Sequence, residues 1–259
     1  MEKAVMLETK NRIATITLNR PTALNSLDKA MVDELIAALI AVGEDSGARA
    51  VVLTGAGKAF CAGGDLFYLL SLTNQLAARA FIGQAGKIVS LIMNMNKPVI
   101  AMVNGVAAGA GFNLALACDI VVCAQSARFS QSFAKVGLIP DCGGFYLLPR
   151  VVGSHKAKEL MFTTDLIDAA TALRLGVANE VVADETLADT VYKLAGRLTE
   201  SAPIAIGLIK KMVNRSGSLD LESTLAFEED LQCICMQTDD HKEGVDAFKA
   251  KRAPLFQGK

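Results

Sequence analysis

The sequence predicts an α/β fold with a buried sheet and a helical C-terminal part. Between residues 49 and 130, short apolar strands alternate with glycine-rich loops and helices, and this order is typical of a sheet flanked by helices. From about Ser154, amphipathic helices dominate. We therefore divide the chain into a core over residues 1–195 and a helical segment over residues 196–259. The apolar faces of that segment either fold back on the core or form an oligomer interface.

The first elements are a β-hairpin and a helix. Residues 3–9 and 12–18 alternate between apolar and polar side chains on either side of a turn at Lys10-Asn11, which predicts the hairpin. From Asp28 to Val42, apolar residues recur at helical spacing, and Asp28 is a suitable N-cap.

A strand–loop–helix unit then occurs twice, and each loop is rich in glycine. The first loop, Gly55–Asp65, follows an apolar strand over residues 49–55 and leads into an apolar helix. The second loop, Asn104–Gly111, joins the strand over residues 98–103 to a helix over residues 112–118. Further strands are predicted over residues 119–124, 127–130 and 176–182, and further helices over residues 187–200, 203–215 and 221–237.

The two glycine-rich loops are the candidate functional elements. Glycine lets the backbone approach a ligand closely, and the start of a helix presents unpaired N–H groups at the positive end of its dipole. Two such turns facing each other would form an oxyanion hole, a pair of N–H donors for a developing negative oxygen. Neither loop fits the common phosphate-binding patterns. The alternative is that the glycines only permit tight packing of strands and helices.

Composition excludes several other functions. With 26 basic and 27 acidic residues, the chain lacks the overall charge of a nucleic-acid-binding protein or a membrane-surface protein. The residues from Pro98 to Cys118 approach membrane-spanning length, but glycine, asparagine and proline interrupt them. The N-terminus does not have the form of a signal peptide, so we expect a cytoplasmic protein with reduced cysteines.

The chain has few residues suited to metal-dependent or histidine-dependent catalysis. The six cysteines form no pair of CxxC motifs, so we expect no metal site. His155 and His241, the two histidines, lie in charged, helix-like surroundings and are expected at the surface.

Four segments together resemble the enoyl-CoA hydratase/isomerase (crotonase) superfamily. They are RPTALNSLDKAMVDEL, GAGKAFCAGGDL, NKPVIAMVNGVAAGAGFNLALACDIVVCA and KVGLIPDCGGFYLLPRVVG, and they occur in the family's order. The resemblance implies a crotonase-like spiral of ββα repeats with a helical C-terminal segment, assembled as a trimer or hexamer. It implies an acyl-CoA substrate and no separate cofactor. The thioester oxygen would accept hydrogen bonds from the N–H groups of Gly64 and Ala110.

The resemblance also implies which residues contact the substrate. Ala23, Ala62, Asp65 and Leu66 match positions along the coenzyme A path. Phe248 and Lys251 match C-terminal positions that reach coenzyme A, often from a neighbouring subunit. We expect the acyl pocket to be walled by residues 67–73 and by three phenylalanines, Phe81, Phe133 and Phe145.

The catalytic carboxylates of a hydratase are missing. The resemblance places two water-activating glutamates where this sequence has Asn113 and Phe133, so ordinary hydration is disfavoured. Asn113 either orients the acyl group or a water, or satisfies a backbone group on its helix. The IPDCGG segment resembles the branch that isomerises ring-1,2-epoxyphenylacetyl-CoA, and this implies that Asp141 is the acid/base. An apolar environment would raise the pKa of Asp141 and make it a better base.

Alternatives remain for the role of Asp141 and for the chemistry. Read from its local sequence, Asp141 is a good N-cap for the following helix, and an ionised cap would be a weaker base. The chain would then be a hydratase-like or decarboxylase-like enzyme with an atypical site. A third possibility is a non-catalytic acyl-CoA-binding subunit. A dehalogenase of this superfamily is disfavoured because the chain has no tryptophan.

Overall fold

The structure is a computed structural model that describes residues 3–259. Ten strands form two sheets. The six-stranded sheet has the order β1-β2-β3-β5-β7-β10 and the four-stranded sheet the order β4-β6-β8-β9. The strands are β1 Val5–Lys10, β2 Ile13–Leu18, β3 Ala50–Gly55, β4 Ala59–Cys61, β5 Val99–Val103, β6 Val106–Ala108, β7 Ile120–Ala124, β8 Arg128–Ser130, β9 Ile167–Asp168 and β10 Glu180–Val182. This confirms the predicted α/β class.

Helices cover both faces of the large sheet and make up most of the C-terminal third. They are α1 Lys29–Glu44, α2 Leu66–Ser71, α3 Gln75–Asn94, α4 Ala110–Ala117, α5 Gly144–Thr163, α6 Ala169–Arg174, α7 Leu187–Thr199, α8 Pro203–Ser216, α9 Leu221–Met236 and α10 Asp239–Ala250. The backbone of α5 leaves the helical conformation at Gly153.

The chain repeats a ββα unit three times. In each unit the first strand joins the six-stranded sheet, the second joins the four-stranded sheet, and a helix follows. The units are β3-β4-α2/α3, β5-β6-α4 and β7-β8-α5. The sequence predicts loops for the segments containing β4 and β6. This prediction is wrong in detail, because each segment contains a three-residue strand that pairs in parallel with its neighbour.

The six-stranded sheet is buried on both faces because its central strands carry apolar residues on both sides. On β3, Val51 and Leu53 face the main core, whereas Ala50 and Val52 face a second apolar layer. In this second layer the sheet packs against α7. The sheet therefore gives the loops at its strand ends a rigid foundation.

Two local predictions near the N-terminus are confirmed. The hairpin pairs β1 with β2 in antiparallel register, from Val5 opposite Leu18 to Lys10 opposite Ile13. Asp28 caps α1, since its carboxylate accepts a hydrogen bond of 2.9 Å from the Met31 N–H.

The residues from Pro98 to Cys118 form β5, β6 and α4, so the predicted strand and helix are confirmed, whereas the predicted loop between them contains β6. By length and composition alone, α3 resembles a membrane span. In the fold it turns a stripe of buried side chains toward the core, namely Phe81, Ala85, Ile88, Val89 and Ile92.

The C-terminal segment is helical, and it is tied to the core by polar groups. The predicted division between residues 195 and 196 lies inside α7. In α8, Lys210 is buried and forms an ion pair of 2.7 Å with Asp119 at the start of β7. The last residues return to α10, where the Asp240 carboxylate accepts from the Gln257 and Gly258 N–H groups. The trimeric or hexameric assembly remains a prediction.

Candidate active site

An apolar cleft of about 810 Å³ lies where both glycine-rich segments end. Its walls come from residues 62–64, from α2 and the residue after it, from α3, from the start of α4 and from residues 132–145. Lys135 and Asp141 are the charged side chains among the described residues that line it. This size and lining suit an organic ligand with a large apolar part.

Strand pairing brings the two glycine-rich segments together. Since β4 and β6 run in parallel, the residues that follow them leave the sheet side by side. The approach is too close for side chains: a Cβ at Gly111 would lie 2.1 Å from the Cys61 carbonyl oxygen, and one at Gly63 would lie 2.8 Å from the Ala108 oxygen. The glycines are therefore required for tight packing, which was the alternative interpretation of these loops. The same contact also aligns the backbone that lines the cleft.

The N–H of Gly64 is available to a ligand. Gly64 forms a parallel bridge with Leu27, in which the Leu27 N–H donates to the Gly63 oxygen (2.7 Å) and the Asp65 N–H donates to the Leu27 oxygen (3.0 Å). Because N–H groups alternate along an extended chain, the Gly64 N–H points to the opposite side. Within residues 3–259, it donates no hydrogen bond.

The N–H of Ala110 is available for a different reason. Ala110 is the first residue of α4, and the N-cap, Gly109, has a φ of 53° that favours glycine. The Gly109 N–H donates to the Ser130 oxygen (2.8 Å), whereas the Ala110 N–H has no partner among the described residues. It therefore carries the partial positive charge of the helix start into the cleft.

Buried asparagine supports the first of these segments. Asn25 is fully buried, and its amide donates to the Ala56 oxygen (2.9 Å) and the Ala59 oxygen (2.8 Å). Its side-chain oxygen accepts from the Arg20 N–H (2.9 Å). This role of Asn25 was not predicted from the sequence, where the asparagine lies between Leu24 and Ser26 and no local pattern marks it.

Asp141 provides a desolvated carboxyl group in the same cleft. One carboxyl oxygen, Oδ1, is buried and has no hydrogen-bond partner among the described residues. Burial raises the pKa of Asp141 above its ordinary value, and the neighbouring Cys142 thiol offsets this only in part. Such a carboxylate is a stronger base than an exposed aspartate.

The interpretation of Asp141 as an N-cap is wrong. The N-cap of α5 is Gly143, whose φ is 77°, and no side chain caps this helix end. Two glycines follow Asp141 and Cys142, so the chain reaches the helix through positive-φ residues without a capping carboxylate. The Asp141 main chain contributes instead, since its carbonyl accepts from the Gly144 N–H at 2.9 Å.

Asn113 lies behind Asp141 and holds its backbone. Asn113 is 0% exposed, and its amide nitrogen donates to the Asp141 carbonyl oxygen at 2.8 Å. Because that carbonyl can only accept, the Asn113 oxygen must face Gln131, whose side-chain nitrogen donates to it at 2.7 Å. This leaves the Gln131 oxygen buried with no partner among the described residues. Asn113 thus satisfies a backbone group, but one in the Asp141 segment rather than on its own helix.

The structure brings six of the predicted site residues together around the cleft: Ala62, Gly64, Leu66, Ala110, Phe133 and Asp141. Phe133 is buried, and its ring lies beside Gly109 at the second donor. Of the expected wall residues, Leu69, Leu72 and Phe145 line the cleft. Phe81 instead packs edge-on against Tyr68, with 4.9 Å between ring centres.

Five other predicted residues do not line the cleft within this chain. Asp65 caps α2 and pairs with Arg20 at 3.1 Å, and Ala23 lies in a short 3-10 helix over Pro21–Ala23. Asn113 is behind the cleft wall. Phe248 is 86% exposed on α10, and Lys251 lies just beyond the end of that helix.

The fold and the cleft define a class of protein: repeated ββα units that line one apolar cleft with two free backbone N–H groups and one carboxylate. The chain matches the enoyl-CoA hydratase/isomerase family over residues 8–259 and belongs to that family. A crystal structure of enoyl-CoA hydratase from Bacillus anthracis superposes with a TM-score of 0.95 at 34% identity, covering 99% of this chain and 100% of that one. This confirms the crotonase fold.

Relatives with assigned activities differ in the reaction named. The chain is 41% identical to 1,2-epoxyphenylacetyl-CoA isomerase from Escherichia coli, over 100% of both chains. It is 38% identical to crotonyl-CoA hydratase from Syntrophomonas wolfei, over 98% of both chains. Family membership therefore leaves the choice between isomerase and hydratase to the site residues.

Proposed function

We propose that this protein is an isomerase of unsaturated or ring-epoxidised acyl-CoA thioesters. The observation that carries the proposal is a single desolvated carboxylate, Asp141, in the same cleft as the free N–H groups of Gly64 and Ala110. One base and one oxyanion hole suffice to move a proton between two carbons of a thioester. Addition of water requires a further group that holds the water.

The reaction begins when the Asp141 carboxylate removes a proton from the α-carbon of a 3-enoyl thioester. The electron pair of the broken C–H bond moves into the thioester carbonyl, and the resulting negative oxygen accepts hydrogen bonds from Gly64 and Ala110. Protonated Asp141 then returns the proton to the γ-carbon. The double bond shifts from C3–C4 to C2–C3, with no net gain or loss of atoms. For a ring epoxide, the same carboxyl group would assist rearrangement to the ring-expanded oxepin.

The surroundings of Asp141 support isomerisation over hydration. Asn113 is 0% exposed and does not line the cleft, and its amide bonds to the Asp141 carbonyl and to Gln131, so it does not offer a group to a water in the cleft. Phe133 has no hydrogen-bonding atom. The names of the relatives support an acyl-CoA substrate in general, and the isomerase from Escherichia coli supports this reaction in particular.

The test compares two reactions on one protein. The purified enzyme is incubated with a trans-3-enoyl-CoA to follow formation of the conjugated trans-2-enoyl-CoA, and in parallel with a trans-2-enoyl-CoA to follow hydration. We expect isomerisation without hydration, reduced roughly 10²–10⁴-fold in Asp141→Asn. Asp33→Asn, an exposed aspartate on α1, serves as the control. Rapid hydration, or full isomerase activity in Asp141→Asn, would overturn the proposal.

Location and assembly form part of the same proposal. We infer a cytoplasmic enzyme, because the relatives include bacterial enoyl-CoA hydratases. We also infer a trimer or hexamer, in which Phe248 and Lys251 reach the coenzyme A of another subunit. The exposure of Phe248 and the lack of any buried residue in α9 support an interface at this segment.

A further inference from the structure

One wall of the cleft presents bare backbone at Gly86. Three residues of α3 line the cleft at intervals of four, Ala78, Ile82 and Gly86, and so form one stripe along the helix. Two of the three have little or no side chain. At Gly86 the cleft therefore extends to the helix backbone.

Neither backbone conformation nor close packing requires glycine at this position. Gly86 lies within α3 with a helical backbone, and glycine is the poorest helix former apart from proline. A Cβ added there would have no heavy atom within 4 Å. This contrasts with Gly111, where an added Cβ would meet the Cys61 oxygen. A side chain at position 86 would enter the open cleft.

We propose that Gly86 is a specificity-determining residue that widens the acyl-binding part of the cleft to admit ring-bearing acyl groups. The wall is apolar around it, and Phe133 and Phe145 line the same cleft, so a flat ring finds both bare backbone and aromatic neighbours. A short linear acyl chain does not need this width. The identity of the ligand as a coenzyme A thioester rests on the proposed function, but the width of the cleft does not.

The test measures binding with thioesters that the enzyme cannot isomerise. Phenylacetyl-CoA carries a ring and butyryl-CoA a short linear chain, and both are titrated by calorimetry into the wild type and Gly86→Leu. We expect the Kd of phenylacetyl-CoA to rise roughly tenfold or more in Gly86→Leu, because a side chain then fills the space of the ring. The Kd of butyryl-CoA should stay within about twofold of the wild-type value.

A matched control exists on the same helix. Gly83 is also within α3 with nothing within 4 Å of an added Cβ, but it faces solvent. Gly83→Leu should leave both Kd values unchanged. Both substitutions raise helix propensity, so both variants should fold and melt at or above the wild-type temperature.

Three results would overturn the proposal: equal weakening of both thioesters in Gly86→Leu, no weakening of either, or weaker wild-type binding of phenylacetyl-CoA than of butyryl-CoA. None of these depends on turnover. Asp141→Asn could keep full isomerase activity while Gly86→Leu still weakens the binding of phenylacetyl-CoA alone. In that case Asp141 is not the base, but the role of Gly86 in specificity is supported.

Discussion

The two sides of the cleft are built in opposite ways. On the donor side, residues 59–64 and 106–111 pack backbone to backbone, so that a methyl group at Gly63 or Gly111 would collide with a carbonyl oxygen. On the carboxylate side, residues 131–145 hold two buried oxygen atoms that have no hydrogen-bond partner within residues 3–259, and several apolar side chains are left exposed, such as Leu138, Ile139 and Phe145.

The difference follows from the chemistry of each side. Backbone donors stabilise a negative oxygen best when they are fixed in place beforehand, and dense packing provides this rigidity. A base must be removed from water to raise its pKa, and an unpartnered buried oxygen lowers the stability of the fold. The rigid packing of the donors and the unfavourable burial of the carboxylate thus serve the same reaction.

The largest combined loss of stability and turnover is expected from Gly111→Ala on the donor side. The new methyl group would lie 2.1 Å from the Cys61 oxygen, and neither strand end can move without shifting the other. We expect the free energy of unfolding to fall by about 1–3 kcal/mol and turnover to fall roughly 10²–10³-fold. Denaturant unfolding and initial rates measure the two effects. In Gly43→Ala, an exposed position on α1 with open space, both should be preserved.

Asn113→Asp tests the support of the carboxylate side. The substitution keeps the shape but replaces the donor to the Asp141 oxygen with an acceptor, so we expect a loss of about 1–3 kcal/mol in unfolding free energy. Thermal and urea unfolding would show the loss. Asn94→Asp removes a similar amide-to-carbonyl bond of 2.8 Å at an exposed position and should cost much less. Equal losses of unfolding free energy in both variants would mean that the buried hydrogen bonds linking Gln131, Asn113 and Asp141 contribute no more to stability than an exposed one.

The pH dependence of kcat/KM reports the pKa of Asp141 in the free enzyme. The carboxylate must be ionised to accept a proton, so activity should decline as the pH falls through this pKa. Because burial raises it, the acid limb should lie above about 3.9, the pKa of an exposed aspartate. An acid limb at or below that value would contradict the desolvation of Asp141.

The smallest effect is on stability, and its sign is opposite to the effect on activity. A carboxylate whose pKa is raised in the folded state destabilises that state above the folded pKa and has no effect below the unfolded pKa. Asp141→Asn should therefore increase the unfolding free energy by about 1 kcal/mol at neutral pH. The gain should vanish as the pH falls below about 3.9. Unfolding of both proteins across this pH range provides the measurement.

The sequence predicted the sheet strands well and the cleft only in part. Apolar runs such as residues 50–55 and 99–103 become buried central strands, because burial of both faces leaves few other options. The three-residue strands β4 and β6 were missed, since a run such as Ala59–Cys61 is too short to show a period.

Local backbone conformation and long-range polar contacts account for the remaining differences between prediction and structure. Local sequence favoured Asp141 as a cap, but positive φ values at Cys142 and Gly143 move the helix start beyond its reach. The partnership of Gln131 with Asn113 joins residues 18 positions apart and has no local signature. The resemblance to the family indicated the cleft residues, and the structure added the contacts that hold them.

The proposed mechanism requires that Asp141 removes an α-proton while Gly64 and Ala110 hold the thioester oxygen. Exchange of the α-protons of phenylacetyl-CoA in D₂O, followed by NMR, tests this step without a double-bond shift. We expect exchange with the wild type, and a rate lower by roughly 10²–10⁴-fold in Asp141→Asn at unchanged thioester affinity. Exchange at the wild-type rate in Asp141→Asn would show that a group other than Asp141 is the base.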